Sequence, residues 1–166
     1  MGRALVVGVM GAGNGARSQD VTLAFELGAA IARKGWVLLS GGHNSGVMDA
    51  VNKGARQAGG LTVGITRESN FATLSEAVSI GIATGMCGAR NNINILSSDA
   101  IIACGHGGPG TASEIALAIL AKKNVILLQA QPTGTAFFKE IGGAYVHLAN
   151  TVDQTMQLIE NKAPQS

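Results

Sequence analysis

The stretch Gly105 to Glu114, GHGGPGTASE, constrains this chain more than any other. It follows an apolar run, Ala100 to Cys104 (AIIAC), and precedes a helical one, Ile115 to Ala121 (IALAILA). A strand that ends in glycines and then opens a helix aims several backbone N–H groups and the positive end of the helix dipole at one spot. That is an anion site, typically a phosphate site. A second stretch of the same design lies upstream, Gly41 to Met48 (GGHNSGVM), after the apolar strand Trp36 to Leu39. Each loop alone also reads as a tight strand-to-helix turn, so the pair points to a ligand more strongly than either member. Capping accounts for part of the pattern. Thr111 to Glu114 has capping-box spacing, with Thr111 as N-cap and Glu114 reaching back to its N–H, and Asn44 and Ser45 are N-cap residues for the helix after them. On that reading Glu114→Gln is a mild change, because an amide also completes the box.

The rest of the chain alternates strands and helices. Ala4 to Val9 reads as a parallel strand buried on both faces. The loop after it, Met10 to Arg17 (MGAGNGAR), is glycine-rich, but its glycines are not spaced GxGxxG and no acid follows the next strand, which argues against a dinucleotide. Ser18 to Lys34 is an amphipathic helix with Val21, Ala24, Phe25, Gly28 and Ile31 on one face. Further helices are expected over Gly46 to Ala58, over Met86 to Leu96 with Ile93 and Leu96 inward, over Ser113 to Lys123, over Thr135 to Ile141 and over Val152 to Asn161. Strands are expected at Leu61 to Thr66, Ala77 to Ile82, Asn124 to Leu128 and Tyr145 to Leu148. The alternation predicts an α/β fold: a Rossmann-like open, mostly parallel sheet with helices on both faces, as a single domain over 1–161 with a flexible tail at 162–166. In such sheets ligands bind beyond the carboxyl ends of the strands, and all three glycine loops follow strands.

Composition narrows the function classes. At 166 residues the chain suits one domain. Charged residues make up 13%, about half the usual share of roughly 25%. A net charge of +2 without a Lys/Arg cluster argues against nucleic acid, and 4% aromatics leaves few platforms for stacking bases. The two cysteines, Cys87 and Cys104, lack metal-ligand spacing, so neither a zinc site nor a disulfide framework is expected. Met1 to Met10 is too short and glycine-rich for a signal peptide, and no apolar run approaches the roughly 20 residues of a membrane span. A cytoplasmic protein is expected.

Several side chains fall where they can do chemistry. Arg90 and Asn91 open the helix before the central strand, and Arg90 can fork onto a phosphate or carboxylate. Arg67 follows the third strand and Arg17 stands at the mouth of the first helix, both with surface-arginine alternatives. Glu114 is the acid inside a glycine motif and a candidate general acid or base, against its capping role. His43 and His106 each sit in a glycine loop, either as a pair at one crevice or as ordinary loop polarity. Asp49 reads as a dipole partner and Cys104 as a core residue.

GGHNSGVM and GHGGPGTASE together resemble the LOG-like, or lysine-decarboxylase-like, superfamily, whose motifs are GGGxxGLM and PGGxGTxxE and which includes the cytokinin-activating phosphoribohydrolases. The resemblance covers nearly the whole chain. GVMGAG, ARKGWVLLSGG, GVMDAVNKGARQAGG, ARNNINILSSDAIIACG and GTASEIALAILAKK are most similar to the branch formed by the molybdenum cofactor carrier proteins of algae and cyanobacteria. That resemblance implies a Rossmann-like fold, a homo-oligomer (a tetramer built from dimers), and storage and transfer of the molybdenum cofactor, molybdopterin carrying its metal. Molybdoenzymes or cofactor-synthesis proteins are the implied partners. The implied binding residues are Gly11, then Gly41, Gly42, His43, Asn44, Ser45, Gly46 and Met48, then Arg67, Arg90 and Asn91, and finally His106, Gly107, Gly108, Pro109, Gly110, Thr111 and Glu114. No metal ligands from protein are implied. The alternative, hydrolysis of the N-glycosidic bond of a cytokinin-type nucleoside 5'-monophosphate, implies Arg90 and Glu114 as catalytic residues. The chain departs from the hydrolases in three places. Arg90-Asn91 stands where they carry Arg-Lys, His106 replaces the leading proline of PGGxGT, and little chain follows the central helix.

Overall fold

The computed structural model describes residues 2–162. Strand β1 (Val6–Met10) is followed by α1 (Ser18–Arg33), β2 (Val37–Ser40), α2 (Gly46–Gln57), β3 (Thr62–Thr66) and β4 (Ile80–Ala83). A short 3-10 turn, Cys87–Ala89, leads into α3 (Arg90–Ser97), and then come β5 (Ala100–Cys104), α4 (Pro109–Leu120), β6 (Val125–Leu128), α5 (Pro132–Gly142), β7 (Val146–Ala149) and α6 (Val152–Lys162). The strands form one sheet in the order β4-β3-β2-β1-β5-β6-β7, with every pairing parallel. The chain therefore builds outward from β1 in one direction as far as β4, returns, and builds outward from β5 in the other. The reversal falls between β1 and β5, where neighbouring crossovers diverge and leave room above the strand ends.

The strands read as unbroken apolar runs because both faces are covered. Val7, Val9, Ala100, Ile102 and Cys104 pack with α1, α2 and α6, while Met10, Ile101 and Ala103 pack on the other side with Ile95 of α3 and Ile115 and Ala118 of α4. Burial pushes the Cys104 thiol up to about 12, as befits a core residue. Helices α1 and α2 meet backbone to backbone. A Cβ on Gly28 would overlap the carbonyl oxygen of Val51, and one on Gly54 would overlap that of Phe25.

That seam corrects the expected face of α1. Phe25 is 37% exposed, because its backbone, not its ring, meets α2, and Leu23 and Leu27 fill the core instead. Helix α3 is also rephased. It starts at Arg90 instead of Met86, which turns Arg90, Asn94 and Ile95 inward and leaves Leu96 56% exposed and Ile93 only partly buried. Strand β4 begins three residues later than expected, since Ser75 and Asn44 first tie the preceding segment to the second glycine loop through Ser75 N–H to Gly42 O and Asn44 N–H to Thr73 O, both 2.8 Å. Lys162 closes α6 and is no part of a tail, and 163–166 lie outside the described residues. Among the described residues no helix is long and apolar enough to cross a membrane.

Candidate ligand-binding site

The loops after β1, β2 and β5 lie side by side because those three strands are neighbours in the sheet. Between them opens a crevice of about 420 Å³, within the size range of small-molecule sites. Gly11, Gly41, His43, Ser45, Met48, Arg67, Arg90, Asn91, Gly108, Gly110, Thr111 and Glu114 line it. Six expected residues do not: Gly42, Asn44, Gly46, His106, Gly107 and Pro109. Most of these shape the loops. Gly46, at φ +58°, brings the start of α2 against the carbonyl oxygens of Ala12 and Gly13, where any side chain would collide. Gly42 donates its N–H to Ser40 Oγ at 3.1 Å.

The start of α4 differs from a capping box. Gly108 is the N-cap and Pro109 the first helical residue, a position where a missing N–H costs nothing. The first helical bond runs from Ala112 N–H to Gly108 O at 3.0 Å, so the N–H groups of Gly110 and Thr111 keep no partner among the described residues. Thr111 lies inside the helix and is 5% exposed, with its hydroxyl unused. A side chain on Gly108 or Gly110 would meet nothing within 4 Å, so the helix end faces open space. Ser45 occupies the N-cap of α2 without a capping bond, and its hydroxyl instead shares a 2.9 Å hydrogen bond with His43 Nδ1.

Glu114 does not reach back to Thr111. It is 7% exposed, and its Oε1 accepts from Asn94 Nδ2 at 3.1 Å. Burial pushes its carboxyl up to about 7, against the opposing pull of the Asn94 hydrogen bond and the Arg90 charge. Arg90, also 7% exposed, donates from Nη1 to the carbonyl of Ile65 at 2.8 Å. Its Nε is buried without a partner among the described residues, and Nη2, on the crevice wall, has none among them either. Burial lowers the guanidinium's affinity for its proton, yet an arginine stays charged. A buried cation with most of its donors unused is costly unless a further acceptor arrives. Asn91 spends its amide on α4, donating from Nδ2 to Ser113 Oγ at 2.8 Å.

The model of the SLOG cluster4 family matches residues 4–159. The chain belongs to the SLOG cluster4 family. Among solved structures, the molybdenum cofactor binding protein of the phototrophic bacterium Rippkaea orientalis is 45% identical, with a TM-score of 0.94 over 96% of this chain and 97% of that one. The molybdenum cofactor carrier protein of Chlamydomonas reinhardtii is 43% identical, with a TM-score of 0.89 over 96% and 98%. The cytokinin riboside 5'-monophosphate phosphoribohydrolase of Mycobacterium tuberculosis is 36% identical over 115 residues, which are 66% of this chain and 59% of that enzyme.

In this SLOG cluster4 chain the two loop histidines are not brought together. His43 lines the main crevice, whereas His106 faces a smaller cavity of about 150 Å³ on the far side of the α4 terminus, where its Nδ1 meets Gln131 Nε2 at 2.9 Å. Arg17 is not free for a ligand either. It grips the fully buried Asp20 with two hydrogen bonds, of 2.9 and 2.6 Å. Asp49 is more than a dipole partner, accepting from Ser75 Oγ and Lys53 Nζ, both at 2.7 Å.

The crevice also contains Val9 and Met10 from the end of β1, Ala12, Gly13 and Asn14 from the first loop, and Glu68, Cys87 and Gly88 from the segments after β3 and β4. The first-loop residues were within reach of sequence reasoning, since that loop follows a strand next to the switch point. Cys87, at φ +49°, belongs to the helix expected over Met86 to Leu96 but stands in the turn before α3, which brings it to the crevice.

Proposed function

We propose that this chain binds, stores and protects the molybdenum cofactor in the cytoplasm for delivery to molybdoenzymes, without turning it over. The observation that carries the reading is the set of unused donors in one crevice: Arg90 Nη2, the Thr111 hydroxyl and the N–H groups of Gly110 and Thr111. The cofactor carries a terminal phosphate, and these are phosphate donors. The two carrier and binding proteins, alike over nearly their full lengths, support the same reading. Arg90, Thr111 and Gly110 would hold the phosphate, and the walls from the first and second loops would shelter the rest. When bound, the cofactor supplies the redox-active metal that its acceptor enzymes use.

A second reading, cleavage of a nucleoside monophosphate's N-glycosidic bond, is favoured by Arg90 and Glu114 lining one crevice and by the mycobacterial relative. Against it stands Asn91. Where the hydrolases carry lysine, this chain has an amide that staples α3 to α4 and brings no charge. Losing one group that stabilises a developing charge costs roughly 100- to 1000-fold in rate.

Mass spectrometry and metal analysis of the anaerobically purified protein are expected to find molybdopterin and molybdenum. Adenosine and isopentenyladenosine monophosphates should release little or no base. Rapid base release that depends on Glu114 would overturn the carrier reading.

The carrier is further proposed to be a homo-oligomer. Leu96 of α3 and Leu120 of α4 are 56% and 80% exposed, and a chain with so few charges gains by covering such a face with a second copy.

A further inference from the structure

The two cysteines stand in opposite surroundings. Cys104 ends β5 inside the core, whereas Cys87 is exposed and lines the crevice. Its turn is pinned at both ends. The Cys87 N–H donates to the Arg67 carbonyl at 3.0 Å, which ties the turn to the residue after β3, and the Ala89 N–H donates to the Met86 carbonyl at 3.0 Å. Gly88 also lines the crevice, and a Cβ there would meet nothing within 4 Å, so open space adjoins the turn that carries the thiol. Arg90 lies three residues on, at the start of α3. It is 7% exposed and lines the same crevice, and its Nε and Nη2 have no partner among the described residues. A thiol alone marks no site. A thiol that shares a crevice with a buried cation still lacking an acceptor does, because the anion that satisfies the cation is brought to the sulfur. Two acids line the same crevice. Glu68 is paired with Arg67 at 3.2 Å, and Glu114 is buried, where an anion alongside favours its neutral form.

We propose that Cys87 is a thiol-exchange site inside the ligand crevice: it forms a mixed disulfide with the oxidised form of a small anionic thiol, whose carboxylates are held by Arg90 and the start of α4, and this adduct and the cargo exclude one another. The exclusion of cargo rests on the carrier reading, whereas the adduct depends on the crevice alone.

The exchange needs no reagent beyond that disulfide. Cys87 loses its proton, its sulfur attacks one sulfur of the incoming disulfide, and the new S–S bond forms as the old one breaks. The other half leaves as a thiolate and takes up a proton, so Cys87 is oxidised and the departing thiol is reduced. An excess of free thiol runs the step backward. Cys104 takes no part, since it is buried and its thiol is pushed up to about 12. The half that stays on Cys87 occupies the donors a phosphate would use, so adduct and cargo compete for one set of groups.

The test is intact-protein mass spectrometry of the whole reduced protein after treatment with oxidised glutathione, which carries an excess of carboxylates, or with cystamine, a cationic disulfide. Wild type is expected to take up a single glutathione and Cys87→Ser none. Relative to their rates with free cysteine, oxidised glutathione should outpace cystamine about tenfold, the order of a focused field's effect on encounter. Inorganic phosphate should slow the glutathione reaction and leave the cystamine reaction unchanged. Modified wild type should lose its anaerobic retention of molybdenum cofactor through gel filtration and regain it on reduction, whereas Cys87→Ser should retain as much after the treatment as before it. Equal normalised rates, no effect of phosphate, or an adduct that leaves cofactor retention intact overturns the proposal and leaves the carrier reading standing. A reduced wild type that takes up no cofactor overturns the carrier reading, and the rates and the phosphate effect still decide the exchange site.

Discussion

The carboxylate of Asp20, in the first turn of α1, accepts the main-chain N–H of His106 at 3.1 Å, across 86 residues of sequence. Arg17, half-exposed, grips both oxygens of the same carboxylate, so the buried Asp20 ties the first glycine loop to the third. Gly105 leaves the space the carboxylate fills: at φ +71° it adopts the left-handed conformation, and a Cβ there would overlap Asp20. The two loops are thus set against each other before any ligand arrives.

Asp20→Asn should destabilise the protein and remove an acid-sensitive component of its stability. Burial works to raise this carboxyl, but the hydrogen bonds from Arg17 and His106 outweigh it and hold the group below its ordinary range. A depressed folded value means the contribution is present above the unfolded value, about 3.9, and is lost as pH falls through the folded one. Urea midpoints measured at pH 7 and pH 3 should therefore differ less in the variant than in wild type, with hydrogen exchange of the His106 amide faster at pH 7.

Arg90→Ala should cost about 10- to 100-fold in cofactor affinity, the worth of a hydrogen bond from a charged donor. Cofactor retention through gel filtration under anaerobic conditions reports it. Arg90→Lys should recover only part, because an ammonium cannot keep the Ile65 carbonyl and also fork onto a phosphate. Full retention by Arg90→Ala would remove Arg90 from the phosphate site.

Gly110→Val separates binding from folding. The residue is not at positive φ, and a Cβ there meets nothing within 4 Å, so the reason for expecting harm is intrusion on the ligand and not backbone strain. Thermal stability should change little while cofactor binding falls below detection. A variant that binds as wild type does would make the loop a simple turn.

Gly54→Ala attacks the opposite property. The added methyl would overlap the Phe25 carbonyl, and α1 and α2 must move apart. A loss of about 1–3 kcal/mol in denaturant unfolding is expected, with the crevice's ligand specificity unchanged.

Light scattering at micromolar concentration should give a multiple of the 16.8 kDa chain mass. Leu120→Glu together with Leu96→Glu should shift the population toward the monomer, because like charges on a covered apolar face cannot be buried unpaired. A monomeric wild type would leave those leucines exposed without purpose.

What could be read from the sequence followed the physics of the signal. Strands buried on both faces announce themselves as apolar runs, and glycines between strand and helix mark the ligand end, so the sheet and the three loops were legible. The phase of α3 was not. Two of its three inward residues are polar, Arg90 because it lines the crevice and Asn94 because it holds Glu114, and periodicity counts only apolar residues. The same blindness produced the capping box. Threonine and glutamate at that spacing are what a cap requires, and they compete with the other local signal, a proline two residues earlier that opens the helix. Asp20 was missed because its partner His106 lies in a loop that only the fold brings near.

A hydrogen atom at position 41 is what allows Arg90 to lie where it does. A Cβ on Gly41 would strike the Arg90 guanidinium, and would come within 2.7 Å of the Met48 sulfur. Position 41 thus works as the floor under the cation: any side chain there pushes the guanidinium off the Ile65 carbonyl and into the crevice, so the smallest residue in the chain sets where its most buried positive charge can stand.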